Sequence, residues 1–310
     1  MTALANRYDG ILFLIVVTAS IAVTLAGLAP GVSYSVLLLI LGVILLGLPH
    51  GALDVLVAKR VFRLSTVPAF LLFLLSYIGV AALYGIVWWW SPAVGLASFL
   101  CFSAIHFSTD LDRRGNLITR LAYGATVLSM PAMGHASEVR QIFRALAVAA
   151  PENIVLVLQI IALPLGLIAL VAAYNQRRER SRDLLELAGI VVGGILLPPL
   201  LYFICYFCFL HSPRHMFATA REEGLIVFRQ IATNAVLPTI AAAGLIWAVS
   251  AGWGRHSLTD RLLQSIFVGL AVLTIPHMLL KVLAQPHFGS PFLARNQHRQ
   301  LARAARNSNL

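Results

Sequence analysis

The stretch LLYFICYFCFLHSPRH (residues 200–215) is apolar without interruption until it reaches two histidines four positions apart, with a proline and an arginine between them. The apolar part has none of the two-residue alternation that a barrel strand shows between its lipid and lumen faces. A run of this kind can satisfy its backbone inside a membrane only as a helix. The fold class therefore turns on whether the rest of the chain is built the same way.

It is. The chain has 310 residues, of which 59% are hydrophobic and only 11% charged, with a mean hydropathy of +0.86. That excludes a soluble domain with a polar surface. Windows long enough to cross ~30 Å of hydrocarbon run over about 10–29, 34–58, 66–90, 92–109, 118–134, 153–174, 184–210, 230–250 and 262–284. They predict an all-α integral membrane protein, a bundle of about eight or nine transmembrane helices. Residues 1–285 form a single polytopic membrane domain that contains the site, and 286–310 a basic polar C-terminal tail.

The net charge of +11 does not point to nucleic acid, because the basic residues fall in short segments between apolar windows, as positive-inside bias requires. Lys59, Arg60 and Arg63, then Arg113, Arg114 and Arg120, then Arg177, Arg178, Arg180 and Arg182 follow the second, fourth and sixth windows. This orientation puts the N-terminus in the cytoplasm. The tail, with Arg295, Arg299, Arg303 and Arg306, belongs on the same side, which needs an even number of spans. Either one of the nine windows does not cross, or the 184–217 region, broken by Pro198 and Pro199, crosses twice. Cys101, Cys205 and Cys208 lie in apolar windows and are odd in number, and they read as small buried hydrophobes.

The histidines are not scattered. His50, His106, His211, His215 and His277 sit in or at the ends of apolar windows, whereas His135, His256, His287 and His298 lie in polar connections or the tail. A histidine within a membrane segment is by default a functional residue. His211 and His215 are one helical turn apart and share a face. Asp54 follows His50 by four positions, and Asp110 follows His106 by four, so helical spacing places a carboxylate beside each imidazole. There it would accept the ligand's second ring N–H and fix its tautomer. A shared metal gathers polar groups that would each cost free energy if left alone in a bilayer. Without a thiolate set or a carboxylate cage, an all-imidazole site suits iron, copper, nickel or zinc, and non-haem Fe(II) suits best among the redox-capable choices.

The motifs GLPHGALD (47–54), HFSTD (106–110), HSPRH (211–215) and PHMLL (276–280) resemble those of the Brp/Blh family of membrane-bound β-carotene 15,15′-dioxygenases. The resemblance covers about 47–280, and Ser108 stands where that family more often has glycine. Spacing puts Asp54 and Asp110 in an outer shell, with His277, after Pro276, as a fifth site residue or an outer-shell one, and the resemblance implies an Fe(II) cofactor on His50, His106, His211 and His215. It also implies β-carotene and O2 as substrates, two all-trans-retinal as products, hand-over of retinal to an opsin, and residence in the bilayer of a prokaryotic inner membrane.

Phe99 and Phe102 precede His106, and Phe207 precedes His211 by one turn, so these rings are candidates to line a polyene slot. Gly47 and Gly51 flank His50 and permit close approach. Two other readings use the same histidines. A haem-binding, cytochrome b-like protein would pair them across a porphyrin, and a metal or proton transporter would use the His/Asp pairs as a relay.

Overall fold

The computed structural model describes residues 2–111, 116–176, 181–225, 228–250 and 257–285. Arg113, Arg114, Arg177, Arg178, Arg180, His256, His287, His298 and the 286–310 tail lie outside them. The described residues are helical with short connections, and none forms a strand.

Helix α1 (Thr2–Leu25) is followed by α2 (Val32–Gly42), a π-helical turn (Val43–Gly47), α3 (Leu48–Ala52) and α4 (Asp54–Phe62). Next come α5 (Val67–Trp90), α6 (Pro92–Phe107), α7 (Leu117–Gly134), the short α8 (Ala136–Ala145) and α9 (Pro151–Asn175). The remainder is α10 (Ser181–Leu196), α11 (Pro199–Tyr206), a second π-helical turn (Phe207–His211), α12 (Ser212–Glu222), α13 (Phe228–Ser250) and α14 (Leu258–Leu283).

Several starts follow directly from sequence. The side chains of Thr66, Ser91, Asn116 and Ser257 each accept a hydrogen bond from the first turn of the helix they precede, and Pro68 and Pro92 occupy first-turn positions that need no donor.

The apolar helices are those of a membrane protein. Among the described residues, four stretches are long and apolar enough to cross a membrane: 32–62, 67–90, 151–175 and 258–283. Two shorter apolar helices, 10–25 and 92–107, accompany them. The predicted window 184–210 is divided at Leu197 and Pro198 into α10 and α11, as its paired prolines anticipate. Leu72, Leu75, Leu83 and Ile86 on α5, and Leu163 and Leu167 on α9, face outward, the arrangement expected where lipid is the solvent. Trp89 and Trp90 are exposed at the end of α5, where amphipathic rings suit a membrane interface.

The core is built around α7, α10 and α11 against α1, with Tyr123, Ile190, Leu197, Tyr206 and Phe13 fully enclosed. Helices α6 and α7 touch backbone to backbone. A Cβ on Gly124 would lie 2.0 Å from the carbonyl oxygen of Ala104, so only glycine permits that contact.

The two π-helical turns have one cause. Proline lacks an N–H and its ring crowds the carbonyl four residues back. Immediately before Pro49, Leu48 donates its N–H five residues back to Val43, and immediately before Pro213, Ser212 donates to Phe207. The widened turns let each proline remain within a nearly continuous rod. They also pack together, since a Cβ on Gly47 would lie 2.7 Å from a ring carbon of Phe207.

Candidate metal centre

His50, in the α3 segment that follows the first π turn, has Nδ1 against the carbonyl of Gly47 and 3.0 Å from Ser212 Oγ. The carbonyl can only accept, so the proton sits on Nδ1 and Nε2 keeps a lone pair. His106 ends α6 and is buried. His211 closes the second π turn and is fully enclosed, with Nδ1 3.0 and 3.1 Å from the two carboxylate oxygens of Asp110. Its Nε2 faces Nε2 of His106 at 3.1 Å.

His277, after Pro276 in α14, has Nδ1 2.9 and 2.8 Å from the oxygens of Asp54. Its Nε2 is buried without a hydrogen-bond partner. His215 is reversed: its Nε2 lies 2.8 Å from Asp110 Oδ1, so the proton stands on Nε2.

These rings form one cluster. The ligand atoms of His50, His106 and His277 lie within 4.8 Å of one another, as do those of Asp110, His211 and His215. Ring centroids of His50 and His106 are each 5.2–5.4 Å from His277, and those of His106 and His211 are 4.7 Å apart. Two imidazoles on one ion, with metal–nitrogen bonds of about 2.1 Å, place their centroids roughly 4.5–6.4 Å apart, depending on the angle between the bonds. The donor set is all nitrogen around buried lone pairs, so it fits a borderline transition-metal ion.

The carboxylates differ from the helical-spacing expectation. Asp54 serves His277 and not His50, because the helix is interrupted at Leu53 between them. Asp110 serves His211 and His215 and not His106, because α6 ends at Phe107 and Asp110 lies in the following turn. His277, expected farther out, packs its ring beside His50 and His106.

Other groups brace the carboxylates. Tyr77 donates to Asp54 at 2.9 Å, and Tyr206 donates to Asp110. Arg214 donates to the backbone carbonyl of Asp110 and to buried Glu186 of α10, both at 2.8 Å. Sequence spacing missed Tyr206 because the π turn shifts the helical phase before His211. A carboxylate at 186 within an apolar window was a legible signal, as was the Pro-His pair shared by 49–50 and 276–277.

On its other side the cluster borders an apolar cavity of about 480 Å³, lined among others by Phe99, Ser103, Phe207 and Leu273 and by His50, His106 and His277. Ile78, also in the lining, is partly exposed on the outer face of α5. Phe102 does not line the cavity. It lies at the edge of the α6 stripe made by Phe99, Ser103 and His106, is exposed, and packs edge-on against Tyr84.

No solved structure matches this chain. A protein from an uncultured marine bacterium, 66A03, named beta-carotene 15,15′-dioxygenase, is 28% identical over 264 residues, covering 79% of this chain and 92% of the relative. The family model described as beta-carotene 15,15′-dioxygenase matches residues 41–284, from the first π turn to the end of α14. With that match spanning every helix that carries a histidine of the cluster, the chain belongs to the beta-carotene 15,15′-dioxygenase family of carotenoid-cleaving enzymes.

Proposed function

We propose that this protein binds one non-haem Fe(II) in its histidine cluster and inserts both atoms of O2 across the central double bond of β-carotene, giving two all-trans-retinal. The single observation that carries the reading is the shared wall. His50, His106 and His277 border both the cluster and an apolar cavity whose lining includes Phe99, Phe203 and Phe207. Bound iron would supply the redox chemistry by which O2 reacts with an alkene.

The residues of the chain do the rest. Phe99 and Phe207 offer flat apolar surface to a polyene, while Leu270 and Leu273 exclude water from the same space. The Nδ1 contacts of His50, His211 and His277 hold three imidazoles in the tautomer that presents Nε2 to a cation. A hydrocarbon substrate concentrates in the bilayer, so a site opening onto an outer helix face beside Ile78 meets it there. The stoichiometry closes without a reductant, since each oxygen atom ends in one aldehyde.

The same reading includes a multi-pass fold of about eight or nine spans in a prokaryotic inner membrane, with a cytoplasmic N-terminus and release of retinal toward an opsin. The widest pair, His50 and His106, has ring centroids 6.5 Å apart, and His277 packs 5.4 and 5.2 Å from the two, taking space that a porphyrin between them would need. The apolar cavity beside the cluster also favours catalysis over a polar relay.

Expression in cells that accumulate β-carotene should bleach them and yield retinal on chromatography. Unchanged colour with the protein present in the membrane, together with purified protein that consumes no O2 in the presence of Fe(II) and β-carotene, would overturn the reading.

A further inference from the structure

Three of the imidazoles in the cluster have the same wiring. His50, His211 and His277 each engage an acceptor through Nδ1: the Gly47 carbonyl, Asp110 and Asp54 respectively. Each therefore keeps its lone pair on Nε2. For His211 that atom faces His106 Nε2 at 3.1 Å. For His277 it has no hydrogen-bond partner, although the side chain is only 6% exposed.

A buried imidazole nitrogen without a partner forfeits about 1–3 kcal/mol, and the chain supports His277 in that state with a further hydrogen bond, Tyr77 donating to Asp54 at 2.9 Å. The Tyr77–Asp54–His277 chain has the form of a brace that fixes a metal ligand's tautomer and raises its basicity. His215 has the opposite wiring. Its Nε2 meets Asp110 Oδ1 at 2.8 Å, and Thr109 Oγ1 lies 3.4 Å away.

Resting on the reading of the cluster as an iron site, we propose that His277 is a metal ligand through Nε2. The Nε2 donors are then His50, His106, His211 and His277. His215 is a positioning residue that acts on the ion through Asp110 and His211. Two carboxylates thus brace two ligands from opposite sides: Asp110 holds His211, and Asp54 holds His277, which arrives from α14, the last described helix.

The test compares His277→Asn with His215→Gln in purified, Fe(II)-loaded protein. The asparagine amide nitrogen stands near the Nδ1 position and the glutamine amide nitrogen near the Nε2 position, so each variant can still donate to the neighbouring carboxylate and lacks the other ring nitrogen. Iron affinity and the number of imidazoles seen by X-ray absorption at the iron edge are the readouts, with thermal unfolding in detergent as the control for folding.

His277→Asn should lose iron affinity by on the order of a hundredfold or more, beyond the range typical of an outer-shell loss, and any iron retained should show one imidazole fewer. His215→Gln should keep its imidazole count and lose no more than about tenfold in affinity, with His215→Ala weaker than His215→Gln. Wild-type iron affinity and imidazole count in a folded His277→Asn protein would overturn the proposal, as would loss of one imidazole in His215→Gln. Wild-type protein that binds no iron would instead overturn the functional reading beneath it.

Discussion

Nε2 of His106 and Nε2 of His211 face each other at 3.1 Å, at the junction between α6 and the second π turn. Asp110 holds Nδ1 of His211, so His211 has no second ring proton to give to His106. The pair is suited to share a cation. His211→Ala should therefore lose iron and retinal formation together, by at least the tenfold to hundredfold that even outer-shell partners contribute. His135→Ala, at the α7–α8 junction and paired there with Glu138, should keep both near wild type. Metal analysis and chromatography of retinal on the two variants check this, and a His211→Ala protein with full iron content would sink it.

Asp110 accepts from His211, His215 and Tyr206 while fully buried. Asp110→Asn keeps the volume but removes the charge that orients two imidazoles. Iron affinity should fall roughly tenfold to a hundredfold. Tyr206→Phe removes one donor to the same carboxylate and should cost less, about 1 kcal/mol of stability. Iron titration and thermal unfolding of the two variants should rank in that order.

Gly47 joins the two π turns, and a Cβ there would lie 2.7 Å from Phe207 and 3.6 Å from Val43. Gly47→Ala should destabilise the protein by about 1–3 kcal/mol, the usual cost of overpacking. It should also weaken iron binding, because His50 lies in α3 just beyond one of the turns being separated and His211 closes the other. A variant with unchanged melting temperature and iron affinity would show that these turns tolerate separation.

Ile78 lines the cavity where it meets the outer face of α5. Ile78→Trp should narrow that opening and lower turnover of β-carotene by about tenfold or more, a scale set by how pocket contacts discriminate between substrates. Iron content should be unchanged, since Ile78 offers the cluster no ligand atom and braces none of its histidines. Steady-state rates against β-carotene, with metal analysis alongside, separate this from damage to the cluster.

The sequence by itself determined the helical membrane class, since windows this apolar have no other way to satisfy their backbone. It also marked the histidines at 50, 106, 211, 215 and 277, because polar groups in such windows stand out against their surroundings. Helical spacing carried the His211–His215 pair, whose rings lie 4.5 Å apart, and placed Phe99 and Phe207 at the cavity wall.

Only the tertiary structure decided which carboxylate serves which ring. A spacing of four is informative only within an unbroken α-helix, and the interruption at Leu53 and the end of α6 at Phe107 remove that condition for both aspartates. Their partners are 223 and 101 residues away in sequence, fixed by how α14 packs beside α4 and how the second π turn packs beside the end of α6. The two π turns add a second reason. Each inserts an extra residue before a proline and shifts the phase of what precedes it, so the approach of Tyr206 to Asp110 and of Gly47 to Phe207 follows from packing that no local period encodes.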